Sequence, residues 1–131
     1  MSDFLDTNVL VYAFVDDHRA DAARDLLNGR TRIAVQSLNE FALAARRRLA
    51  MTWPEIKLSL IAIQRVCLDP QPLTLEVHGT GLRLAERYQF KVFDAMIVAA
   101  ALTAGCDTLW SEDMHDGLVV DERLTIRNPF P

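Results

Sequence analysis

The sequence predicts an α/β fold, a three-layer α/β/α sandwich around a parallel sheet, with residues 1–131 as a single domain. Three observations carry this expectation. Short apolar runs alternate with amphipathic helical stretches along the chain, the pattern left by a parallel sheet with helical crossovers on both faces. Half of the residues are hydrophobic, enough for a full core without staples. The stretch Phe4-Leu5-Asp6-Thr7-Asn8-Val9-Leu10-Val11-Tyr12-Ala13-Phe14 sets one carboxylate between two apolar runs. It reads as a buried strand ending at Leu5 or Asp6, then a helix from Val9 to Phe14 capped by Thr7 or Asn8.

The remaining elements follow in order. Asp16 to Arg19 form a loop, and a helix from about Ala20 to Leu27 closes at Asn28-Gly29. Arg32 to Val35 read as a second short strand. Ser37 with Glu40 three residues later fits a capping box, opening a helix that runs through Phe41, Ala45 and Leu49. Pro54 suits the first turn of a helix reaching Cys67, with Ile56, Leu60 and Ile63 on its apolar stripe. Asp69-Pro70-Gln71-Pro72 stops it. Leu73-Thr74-Leu75 is the expected third strand, and Val77 to Tyr88 the next helix. Ala95 to Thr103 are apolar nearly all round, which places that helix at the centre. Thr108-Leu109-Trp110 and Leu124-Thr125-Ile126 complete the strands.

Other function classes lack their motifs. Cys67 and Cys106 have no metal-ligand spacing and read as buried thiols. His18, His78 and His115 are scattered, no glycine turn surrounds a serine, and no glycine-rich phosphate loop occurs. No basic segment precedes an apolar run at Met1-Ser2-Asp3, and no apolar stretch approaches a membrane span. The expected setting is cytoplasmic. The net charge of -4 argues against a nucleic-acid binder unless the acids gather around metal and the basic residues gather elsewhere.

The acids are the candidate site. Ligands of open parallel sheets bind beyond the carboxyl ends of the strands. Asp6 ends the first strand and Asp113 follows the fourth. Glu40 and Asp94 fall in the opening parts of helices facing the same rim, where a helix amino terminus favours an anion. Asp116 is near enough in sequence to approach that rim. Carboxylates crowded together either take up protons or bind a cation, and an all-oxygen set selects a hard ion such as magnesium or manganese. Glu40 retains its reading as a capping residue. Arg46-Arg47-Arg48 is the densest basic run, either a solvated face or a contact surface.

With these residues placed, the sequence resembles the PIN-domain ribonucleases, and within them the VapC-type toxins of bacterial toxin–antitoxin pairs. The matching segments are Leu5-Asp6-Thr7-Asn8, Asn39-Glu40, Phe93-Asp94-Ala95-Met96-Ile97-Val98-Ala99-Ala100-Ala101, Ser111-Glu112-Asp113-Met114 and the closing Leu124 to Phe130. The resemblance implies a PIN-like sheet with strand order 3-2-1-4-5. It implies an acidic quartet of Asp6, Glu40, Asp94 and Asp113 as catalytic and metal-binding residues. Asn8 and Ser111 would support the quartet, with Asp116 a fifth acid. It further implies hydrolysis of RNA with magnesium as cofactor, manganese substituting, together with a homodimer and a cognate antitoxin. Arg46, Arg47 and Arg48 would then meet RNA or the antitoxin. Two rivals stand beside this reading. A signalling receiver of the same fold class would want adjacent acids after strand one and a lysine after strand five; here Leu5 precedes Asp6, and Arg127-Asn128 precedes Pro129. A catalytically silent PIN-like module for protein binding is the other.

Overall fold

The computed structural model describes residues 2–131; Met1, at the head of the amino-terminal segment read above, lies outside the described residues. The elements are β1 (Asp3–Leu5), α1 (Thr7–Tyr12), α2 (Ala20–Leu26), α3 (Val35–Arg47), α4 (Trp53–Val66), α5 (Leu75–Tyr88), α6 (Val92–Thr103), β2 (Thr108–Trp110), β3 (Val119–Val120) and β4 (Leu124–Arg127).

The sheet runs β1-β2-β4-β3. β1 pairs in parallel with β2, and β2 with β4; β3 adds an antiparallel edge. Strand pleating sends successive side chains to opposite faces, and the core divides accordingly. Phe4, Leu109 and Ile126 pack with α5 and α6, whereas Leu5 packs with the α1 to α4 side. Both faces are therefore covered, as the alternating pattern predicts. α6 is the central helix: eight of its residues, Ala95 to Leu102, are buried.

The expected order 3-2-1-4-5 holds only in part. Its 1-4-5 portion is found in β1, β2 and β4. The second expected strand, Arg32 to Val35, is reduced to isolated parallel bridges, Phe4 with Arg32 and Ala34 with Gln71. It is bonded on both edges: Leu5 N–H donates to Arg32 O at 2.9 Å, and Gln71 N–H donates to Ile33 O at 2.8 Å. α3 begins at Val35 and cuts it short. Leu73-Thr74-Leu75 is not a strand. Pairing occurs at Gln71, between Pro70 and Pro72, which lack the N–H groups that would extend a ladder. Thr74 instead caps α5, accepting from Val77 N–H at 3.1 Å.

The capping box at Ser37 is also absent. α3 starts three residues earlier behind Ala34, whose methyl side chain has no oxygen to cap with. Ser37 is buried inside the helix, and among the described residues its Oγ has no hydrogen-bond partner. The genuine box is Thr52 with Glu55 at the start of α4, with Pro54 in the first turn.

Candidate active site

Asp6 is the residue where the layers meet. It leaves the end of β1, its N–H still donating to Trp110 O at 3.0 Å. Its extended backbone then makes it the N-cap of α1, the role expected of Thr7 or Asn8. The carboxylate is 3% exposed. Oδ1 accepts from Thr7 N–H at 2.7 Å and Oδ2 from Ser111 Oγ at 2.7 Å. Ser111, fully buried, reaches it because β2 runs parallel to β1 in a register that sets Leu5 opposite Trp110. These donors favour the charged form, yet burial outweighs them. Burial, with Asp94 and Glu40 nearby, pushes the Asp6 carboxyl up to about 7.

The other three acids approach from separate elements. Asp94 lies in the first turn of α6, half-buried. A helix amino terminus favours its anion, but burial and the charges of Glu40 and Asp113 prevail and raise its carboxyl above the usual range. Asp113 follows β2 and accepts from Asn8 Nδ2 at 3.1 Å. Asn8 also reaches Asp6 Oδ2 at 3.4 Å, and its Oδ1 accepts from Glu112 N–H at 3.3 Å. The Asn8 amide thus ties the Asp6 loop to the Asp113 loop. Glu40 lies in the second turn of α3, too far from the start for the helix dipole to hold it as expected. Thr7 Oγ1 and Gln36 Nε2 hold it instead, at 3.1 and 3.0 Å on its two oxygens.

A cleft of about 410 Å³ opens beside this group, lined by Thr7, Asn8, Glu40 and Asp113 at one end. Along α3 the lining continues through Leu43 and Ala44 to Arg47 and Arg48, and Val11 and Tyr12 also line the cleft. The donor set is entirely oxygen, suited to a hard divalent ion. Two raised carboxyls are what a cation would relieve. Among the described residues, no three acidic, histidine or cysteine groups already stand in ligand geometry. Glu40 and Asp113 are held by protein donors, so closing around an ion would require their side chains to move.

The sequence profile of the PIN domain matches residues 4–115. The chain belongs to the PIN-domain family. No curated protein is similar enough in sequence to count as a relative. Three solved structures share the fold at 18% identity. A toxin–antitoxin complex from Klebsiella pneumoniae superposes with TM-score 0.76, covering 98% of both chains. The Mycobacterium tuberculosis toxin VapC20, described as cleaving the sarcin–ricin loop, gives 0.70 over 86% of this chain and 92% of its own. VapBC2 from Rickettsia felis, bound to a DNA fragment from its promoter, gives 0.67 over 98% of both.

Within this PIN domain, the four predicted acids do converge, along with Asn8 and Ser111. Asp116 stands apart: its Oδ1 accepts from Asn128 N–H at 2.8 Å, fastening the carboxy-terminal segment. The arginine run divides. Arg47 and Arg48 line the cleft, whereas Arg46 bonds Met51 O at 3.1 Å and lies over the Trp53 ring. Sequence reasoning missed Thr7 and Gln36 as holders of Glu40. Gln36 precedes Glu40 by one helical turn, a signal hidden by the misplaced start of α3. Tyr12 was also missed; Arg19 lies 4.7 Å from its ring centre and Phe130 meets it edge-on.

Proposed function

We propose that this chain is a metal-dependent endoribonuclease, the toxin of a toxin–antitoxin pair. One observation carries the proposal: a buried Asp6, raised to about 7, faces further carboxylates at the end of the sheet, and among the described residues no cationic side chain pairs with it. A purely structural acid would not be surrounded by other acids. The PIN family supports nuclease chemistry, and the structurally similar VapC20 is described as a toxin that cleaves the sarcin–ricin loop.

Asp6, Asp94, Asp113 and Glu40 would hold magnesium, or manganese in its place. A divalent ion there supplies charge stabilisation for phosphoryl oxygens and makes a bound water more acidic. Ser111 keeps one oxygen of Asp6 oriented, and Asn8 does the same for Asp113. Thr7 and Gln36 hold Glu40 at the cleft wall. The attacking water must lose a proton, and Asp94 or Asp113 would orient it. The substrate is single-stranded or looped RNA, whose backbone can enter a crevice. The toxin–antitoxin assemblies of similar fold support a cognate antitoxin; a homodimer and a cytoplasmic setting complete the reading.

The test is direct. Purified chain freed of any partner should cleave RNA with magnesium or manganese and stop in EDTA. Cleavage that continues undiminished in EDTA sinks the metal mechanism.

A further inference from the structure

One wall of the cleft is a single face of α3. Glu40, Leu43, Ala44, Arg47 and Arg48 recur at helical spacing and all line it. Along this wall the chemistry changes from carboxylate through apolar to doubly cationic. Val11 and Tyr12 of α1 line the cleft as well. At 1.5 Å per residue, Glu40 and the arginine pair are separated by roughly 11 Å along the helix. That separation is roughly two nucleotide steps of an extended strand, the form in which single-stranded RNA offers its backbone and bases.

Arg47 and Arg48 are exposed. Among the described residues, neither has a carboxylate within ion-pair distance. Arg46 is engaged at the turn between α3 and α4 and does not line the cleft. Neighbouring arginines of one run therefore differ in what they are free to bind.

We propose that Arg47 and Arg48 form a phosphate subsite for single-stranded RNA, roughly two nucleotides from the bond that is cut, with an intervening base against Leu43 and Val11. An RNA strand presents anion, flat apolar ring and anion at a regular repeat. The wall presents its complementary groups in that order once the acidic end holds a cation. The inference rests on the nuclease reading of that acidic end.

The probe is a fluorescently labelled oligouridylate of about 12 nucleotides, within the site sizes of single-strand binders. Its binding is followed by anisotropy across a salt series with calcium in place of magnesium, so that the acidic end can hold a hard cation. The proteins are the parent, the double variant Arg47→Gln/Arg48→Gln, and Arg46→Gln. Two lost phosphate contacts should flatten the slope of log affinity on log salt by about 1.4, which is about 25-fold weaker binding near 0.1 M salt. Arg46→Gln should keep the parent slope. An unchanged slope in the double variant, or equal flattening in Arg46→Gln, overturns the subsite. So does failure of the parent to bind the oligouridylate, or equal competition by polyglutamate of similar length. Metal-dependent RNA cleavage by the parent is measured alongside. Its presence with an unchanged slope removes the subsite alone; its absence removes the nuclease reading and with it the subsite's place relative to a cut bond, and the slopes then decide only whether the two arginines bind phosphate.

Discussion

Replacing Asp6 by Asn separates a functional acid from a structural one. The folded-state carboxyl is raised from 3.8 to about 7, chiefly by burial. Between those values the folded protein holds one proton more than the unfolded chain, so this group's contribution to stability falls as pH rises through the window. Above it both states are ionised and the full difference of about three pH units applies, roughly 4 kcal/mol. An Asn keeps the oxygen that accepts from Thr7 N–H, and its amide can donate to the Ser111 hydroxyl. It conflicts with the weaker Asn8 donor, 3.4 Å away, which removes part of the gain. The expected net stabilisation in EDTA is about 1–3 kcal/mol near pH 8, or at least about 3 °C in melting temperature. Near pH 5 the advantage should shrink to about 1 kcal/mol or less, because the parent's Asp6 is then protonated. Thermal melts of parent and variant at both pH values, with EDTA and with excess magnesium, read all of this. Magnesium should stabilise the parent more than the variant, since binding to the folded state raises apparent stability. A variant that melts below the parent at the higher pH, with equal magnesium shifts, refutes the reasoning.

Other perturbations follow from single contacts. Ser111→Ala strips the hydroxyl from Asp6 Oδ2 and should cost about 1–3 kcal/mol above neutral pH, read by denaturant melts; an unchanged midpoint contradicts it. Gln36→Leu frees one oxygen of Glu40 and should weaken manganese affinity about 10-fold with little change in melting temperature, as for lost outer partners of metal ligands. Gly79 lies within α5, and an added Cβ would meet nothing within 4 Å. Gly79→Ala should therefore stabilise by up to about 1 kcal/mol without changing cleavage. Thr52→Ala breaks the capping box of α4 and should destabilise by about 1 kcal/mol.

The sequence reveals elements that carry their own local signals. α6 is apolar on every side and is central; α4 has its proline in the first turn; β1, β2 and β4 are short apolar runs bounded by polar residues. What it hid was decided by long-range contacts. Ser37 and Glu40 have capping-box spacing, but α3 begins at Val35, and both lie inside it. The β3–β4 turn takes positive φ at Asp121 and Glu122, without the usual Asn-Gly signature. Arg83 and Tyr88 on α5 hold Asp121 there, with Arg83 Nη2 2.7 Å from its carboxylate. In the site, Asp6 was legible because an isolated carboxylate beside an apolar strand is conspicuous; Glu40 and Asp94 were read from helix openings, and the four acids as one set only through the family resemblance. The separation of Arg46 from Arg47 and Arg48 was not, since it depends on where Met51 and Trp53 fold back.

The most direct measurement of the central claim is a calorimetric titration of manganese into the RNA-free protein near pH 6.5, in two buffers of different ionisation enthalpy. Parent and Asp94→Asn are compared. Asp6 is largely protonated at that pH in the free protein, and ligands must ionise to bind metal. The parent should therefore bind manganese with release of about one proton, and Asp94→Asn should bind at least about 10-fold more weakly. Binding of equal strength in the two proteins with no proton release, or no binding by the parent, would contradict an acidic metal centre.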